Sequence, residues 1–128
     1  MRKLLLPALG APLLGLAIIA ALVAAEFRRE ANGAAVALEL AYAGDVKAGR
    51  QVAACYREGC RGVRKAPVLG CAWATIVVQE QGAAPDAADA AAERESCASV
   101  PAEERPILQK ALSDIRERMR LHASRHPS

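Results

Sequence analysis

Four cysteines, Cys55, Cys60, Cys71 and Cys97, constrain this chain more tightly than any other feature. They sit in a sequence of 128 residues that is 53% hydrophobic but only 3% aromatic, so any interior must be assembled mainly from Ala, Val, Leu and Ile. A short chain with small side chains buries little apolar surface per residue, and cross-links are the usual remedy. Behind an apolar leader, four cysteines point to an oxidising compartment and two disulfides. Zinc is the competing reading. However, Cys55-x4-Cys60 lacks the two-residue spacing of most zinc knuckles, and Cys71 and Cys97 form no second close pair. No cofactor is expected.

The leader, MRKLLLPALGAPLLGLAIIAALVAA, carries Arg2 and Lys3 and then no charge until Glu26. Val23 and Ala25 occupy the −3 and −1 positions of a signal-peptidase site, with cleavage after Ala25. The uncharged run is also long enough to span a bilayer, although Pro7, Gly10, Pro12 and Gly15 weaken its first half as a helix. Residues 1–25 are therefore a signal peptide or a membrane anchor, and both place the remainder on the far side, because positive charge precedes the apolar run. Removing these 25 of 128 residues would leave 103, enough for one small domain over 26–122 and a frayed tail over 123–128. Arg2 and Lys3 supply two of the 17 basic residues, so 15 basic face 14 acidic ones beyond them. That balance argues against nucleic acid.

Helical periodicity organises the rest. Asn32 is placed to cap a helix over 33–43, with Val36, Leu38 and Leu40 as its apolar residues and Gly44 as its stop. Asp45 caps a second helix over 46–58, whose Ala48, Val52, Cys55 and Tyr56 mark a buried stripe. Gly59 then serves as a left-handed terminator, and a Schellman turn there would bring Cys55 against Cys60. Pro67 opens a third helix to about Gln81, apolar round most of its circumference and so the central one. A turn over 82–86 leads to a fourth helix, capped by Asp86 and running to Ala98, with Asp89, Glu93 and Glu95 facing outward. Cys71 and Cys97 are equidistant from the middle of that turn, so antiparallel helices would set them opposite each other. The preferred pairs are thus Cys55–Cys60 and Cys71–Cys97; the pairing Cys55–Cys71 with Cys60–Cys97 also suits antiparallel helices and stays open. Pro101 opens the last segment, with Pro106 marking the start of regular helix. Ile107, Leu108, Ala111, Leu112, Ile115 and Met119 form one stripe, and Asp114–Arg118 an outer i,i+4 pair.

From Gly44 the residues GDVKAGRQVAACYREGCRGV resemble the Sel-one-like repeats, relatives of the tetratricopeptide helical repeats. Gly44, Asp45, Ala48, Tyr56, Gly59, Gly62, Val63 and Trp73 fall in step with that family's unit. Departures are Gly49 in place of a glutamine, Val52-Ala53 in place of a leucine-glycine pair, one extra residue in the turn, and Ala66 where an aspartate usually opens the second helix. Gly70 takes the small-residue slot. The likeness covers Gly44 to about Gln81, one unit, and the Val100–Glu104 run is similar to the start of the helix that caps such arrays. It implies a stack of helix pairs that binds other proteins and has no catalytic residues of its own. About three units are normally needed for stability, so disulfides would have to supply the remainder.

Catalytic constellations are not legible. No serine lies in a nucleophile-elbow pattern, and neither a Cys-x-x-Cys motif nor a sheet to carry one is present. His122 and His126 have one-face spacing for a metal, but a solvated tail is the simpler reading. Asp86, Asp89 and Glu93 suit a helix dipole better than calcium. Arg116, Arg118, Arg120 and Arg125 are diluted by Asp114 and Glu117, which favours a solvated face over a membrane patch. Trp73 reads as core. The expectation is an all-α stack of about five short helices, stapled by disulfides, behind a hydrophobic N-terminal segment. Its expected role is that of an exported, non-enzymatic interaction or accessory module of a bacterial cell envelope, periplasmic or secreted, or else anchored by a single span facing the periplasm. Its partner would be an envelope protein, and the N-terminal segment its only membrane contact. A thiol-redox or metal-handling protein using the same cysteines is the alternative.

Overall fold

The computed structural model describes residues 10–127, so the start of the leader, through Leu9, lies outside the described residues. The described chain is all helical: α1 (Gly10–Tyr42), α2 (Val46–Glu58), α3 (Pro67–Glu80), α4 (Ala87–Ala98) and α5 (Arg105–Arg125). A single 3-10 turn, Ala102–Glu104, precedes α5. Two disulfides, Cys55–Cys60 and Cys71–Cys97, tie the helices together.

Helix α1 departs most from expectation. It spans 33 residues without a break, so the helix expected over 33–43 is only the last third of a longer one. Asn32 does not cap it. Apart from Gly33 the residues around Asn32 are mostly good helix formers, and a cap contributes only about 1 kcal/mol, too little to interrupt a favourable helix. Its packing face also differs. Ala37 and Ala41 are 5% and 2% exposed, while Val36 and Leu40 are 58% and 48% exposed. Leu38 and Tyr42 are half-buried beside the alanines. The i, i+4 row of small side chains thus lies against the body, and the larger Val36 and Leu40 point away from it. Further back, Leu13, Leu16, Ile19, Leu22, Val23 and Phe27 are exposed as well.

Asp45 caps α2 as expected, its carboxylate accepting from the Ala48 N–H at 2.8 Å. Helices α2 and α3 are antiparallel and unusually close. A Cβ added at Gly70 would lie 3.1 Å from the Arg57 backbone nitrogen, and one at Gly49 would lie 2.9 Å from a Val77 methyl. Helix α3 is the spine. Gly70, Cys71, Ala72, Trp73, Ala74, Ile76 and Val77 are all buried in it, with α2, α4 and α5 packed round it. Trp73 fills the centre, its ring 5.3 Å from that of Tyr42 and tilted by 59°.

Helix α4 is capped by Asp86, whose carboxylate accepts from the Ala88 N–H at 2.8 Å. Asp89, expected to face outward, is instead buried. Helix α5 begins at Arg105, with Pro106 accommodated in its first turn, where the ring displaces no intrahelical hydrogen bond. Leu112 and Ile115 are its buried anchors. It stays helical to Arg125, so the tail expected from Ala123 begins inside it. The expected Asp114–Arg118 pair does not form: Asp114 accepts from Lys110 at 2.7 Å, and Arg118 turns to Tyr42. Among the described residues no helix is long and apolar enough to cross a membrane.

The glycine contacts give a sharp test. Gly70→Val would press a branched side chain onto the fixed Arg57 backbone and is expected to destabilise by about 1–3 kcal/mol. A Cβ at Gly33 meets nothing within 4 Å, so Gly33→Ala is expected to stabilise by about 0.5–1 kcal/mol through helix propensity alone. Urea unfolding of the two variants checks both signs.

Candidate functional site

Of the residues singled out in sequence, Cys55, Tyr56, Gly59, Cys60, Gly62 and Val63 lie at the α2–α3 corner. Gly59 ends α2 with φ +81° and ψ 142°, which lies outside the left-handed helical region, so the expected Schellman turn is not made. Its N–H donates to the Cys55 carbonyl at 2.8 Å, but the Cys60 N–H, which a Schellman turn would also direct to Cys55, donates to the Val63 carbonyl at 3.2 Å. The Val63 N–H returns the bond to the Cys60 carbonyl at 2.9 Å. Between them, Gly62 has φ +80°, a conformation that favours glycine at a turn's third position. The chain leaves α2 extended into this tight turn, and the Cys55–Cys60 bridge makes the connection that the missing hydrogen bond would have made. Its Cα atoms are 5.0 Å apart. The Ala66 N–H donates to the Tyr56 carbonyl at 2.7 Å and closes the loop onto α3.

This corner forms one wall of an apolar groove of about 290 Å³. The groove lies between α1 and α2, with Ala34, Ala37 and Leu38 on one side and Val52, Tyr56 and Val63 on the other. Of the repeat positions, Gly44 (φ +89°) and Asp45 set the α1–α2 turn, Ala48 and Trp73 are core, and Gly59, Gly62 and Val63 shape the corner. Tyr56 is half-buried, and burial pushes its phenol pKa up, with Tyr42 adding to the rise and Arg118 opposing it.

A second cluster, missed in sequence, joins α2, α3 and α4. Arg50 donates to both oxygens of Asp89, through Nε at 2.9 and 3.0 Å and through Nη2 at 2.7 Å. Gln81 donates to the same carboxylate at 2.7 Å and to the Val77 carbonyl at 3.0 Å, and accepts from the Asp86 N–H at 2.8 Å. The Arg50 hydrogen bonds outweigh desolvation and hold the Asp89 carboxyl below its usual pKa, with help from Gln81. The available signal was the placement of Asp89 one turn inside a helix whose neighbours are all alanine; a buried carboxylate there needs a cationic partner.

The long-range bridge, Cys71–Cys97, links α3 to α4 with Cα atoms 4.7 Å apart, and Cys71 is fully buried. Among the described residues every cysteine is in a disulfide, and no group of three or more His, Cys, Asp or Glu is gathered as for a metal ion. The rings of His122 and His126 lie 4.8 Å apart, tilted by 41°, at the end of α5. Arg116, Arg118, Arg120 and Arg125 are all exposed, and three of them also have partners: Arg116 donates to Gln79 at 3.0 Å, Arg118 to the Tyr42 hydroxyl at 3.3 Å, and Arg120 pairs with Glu117. The Arg118 guanidinium also lies 5.7 Å from the centre of the Tyr42 ring. The chain matches no family model, no curated protein and no solved structure.

Two measurements follow from these clusters. On the chain-entropy estimate, the Cys71–Cys97 bridge stabilises by about 3.5 kcal/mol and the shorter Cys55–Cys60 loop by about 2 kcal/mol. Urea unfolding should therefore show a larger loss for the Cys71→Ala/Cys97→Ala pair than for Cys55→Ala/Cys60→Ala. Asp89 is ionised more easily when folded, so its contribution is present above the ordinary carboxylate pKa and disappears as pH falls through the depressed value. Asp89→Asn should lower Tm at neutral pH, and the gap from wild type should narrow steadily on acidification; a gap constant with pH would refute that assignment.

Proposed function

We propose that this chain is a non-enzymatic interaction module of the bacterial cell envelope, exported by its apolar N-terminal segment and held by that segment at the membrane. The observation that carries the reading is the continuity of α1, which joins an exposed apolar stretch to the packing face of the helical body in a single element. In sequence the uncharged run extends from Leu4 to Ala25, 22 residues, and about 20 apolar residues are enough for a span. Two disulfides favour an oxidising compartment on the far side. One Sel-one-like unit over Gly44–Gln81 accounts for the α2–α3 corner, and the apolar groove beside it is the surface offered to an envelope protein.

Alkaline phosphatase fused after Ser128 tests export directly, because that reporter is active only once outside the cytoplasm. Activity, recovered in the membrane fraction after an alkaline wash, is the expected result; an inactive fusion overturns export, and activity in the soluble fraction overturns retention. For the binding role, affinity capture from envelope extract is compared between wild type and Leu38→Arg. A protein retained by the first and lost with the second, at unchanged Tm, is expected. Capture indifferent to the substitution would remove the groove from the argument.

A further inference from the structure

The two bridges differ in what a reductant meets. Thiol–disulfide exchange begins with direct attack of a thiolate on one sulfur of the bridge. Cys71 is fully buried, and although Cys97 is half-buried, its Sγ lies 3.7 Å from the Cys71 carbonyl oxygen and 3.8 Å from the Thr75 hydroxyl. Packing of this kind shields that bridge until α4 parts from α3. Cys55 and Cys60 are both half-buried, and Cys55 lines the groove between α1 and α2. A reductant entering the groove comes against Cys55 with no helix displaced.

The same bridge governs one wall of that groove. The Cys60 N–H bonds within the turn, to Val63, and not back to α2. Backbone hydrogen bonds tie the turn to α2 at its two ends, from the Gly59 N–H to the Cys55 carbonyl and from the Ala66 N–H to the Tyr56 carbonyl. Between them the Cys55–Cys60 bond is the covalent link. With that link cut, Gly59 (φ +81°) becomes a hinge, because glycine reaches other backbone conformations at little steric cost. Gly62 and Val63, which line the groove, move with the turn.

We infer, on the reading of the groove given above as a binding surface, that Cys55–Cys60 is a reversible thiol–disulfide switch that sets the shape of the groove. It exchanges with a protein dithiol while Cys71–Cys97 stays oxidised. One thiolate of the dithiol attacks the Cys55 sulfur, a mixed disulfide forms, and Cys60 leaves as a thiolate that takes up a proton. The second thiol of the dithiol then loses its proton, attacks its partner sulfur in the mixed disulfide and expels Cys55 as a thiolate, which is protonated in turn. The bridge gains two electrons and two protons, and the dithiol becomes a disulfide. The reverse sequence closes the switch.

Dithiothreitol serves as the probe dithiol. The full chain in mild detergent is exposed to it for graded times, free thiols are trapped with N-ethylmaleimide, and each cysteine is scored by mass spectrometry. Cys55 and Cys60 should be labelled on the order of tenfold faster than Cys71 and Cys97, whose bridge is exposed only when the body opens. In the protein reduced at the first bridge alone, amide hydrogen exchange over residues 59–66 should rise on the order of tenfold while α3 stays protected. Cys55→Ser/Cys60→Ser should show that faster exchange without dithiothreitol and no further rise with it. Labelling of all four cysteines together overturns the switch, and so does selective labelling with unchanged exchange over 59–66. Neither readout needs a partner, which keeps the switch separable from the binding role. Capture that responds to Leu38→Arg but is equal for the oxidised and reduced chains strikes the switch alone. Capture by the oxidised chain that ignores Leu38→Arg removes the binding surface, and the switch with it.

Discussion

The closeness of α2 to α3 is the constraint on which the other features depend. Gly70 lets the Arg57 backbone come within van der Waals distance, and Gly49 does the same for Val77. Helices so close need few large side chains between them, which is how a chain with 3% aromatic residues still closes round a single tryptophan. The same closeness limits the apolar area available to hold the third and fourth helices. On that side the Cys71–Cys97 bridge and the Arg50–Asp89–Gln81 network supplement packing. A close-packed interface joins α2 to α3, while a covalent link and a charge-assisted network hold α4.

The helix count and the turn positions were legible in the sequence, because each depends on local signals. The preferred cysteine pairs formed, although the sequence left a second pairing open and the Schellman turn that suggested Cys55–Cys60 is not made. Asp45 and Asp86 cap, Gly44 and Gly59 stop, and the spacing about the 82–86 turn sets Cys71 opposite Cys97. What was not legible depends on the approach of neighbours. Val36 and Leu40 carry the stronger hydrophobic signal, yet Ala37 and Ala41 occupy the contact with the body and the larger side chains point away. Asp89 reads as a solvated helix residue until α2 delivers Arg50 from 39 positions earlier. Arg118 has an acidic residue four positions back, but Tyr42 offers a ring face and a hydroxyl together, and Lys110 takes the carboxylate.

The two bridges divide their work. Cys71–Cys97 lies in the core and closes a loop of 26 residues, so it acts on the stability of the whole body. Cys55–Cys60 spans only five and fixes the path of the chain as it leaves α2. Losing the first loosens α4 from the spine, whereas losing the second frees the turn whose Gly62 and Val63 line the groove. Global stability and surface presentation are therefore carried by separate bonds.

Because α1 is a single rod, the body has a fixed azimuth about it. Ala37 and Ala41 define the contact line, and the apolar segment continues on the same axis. Each residue of an α-helix advances by about 100°. One residue inserted between Phe27 and Gly33 would swing the body by more than a quarter revolution relative to the apolar end. A chain built this way encodes the heading of its surface in the length of the stretch that joins the body to that end.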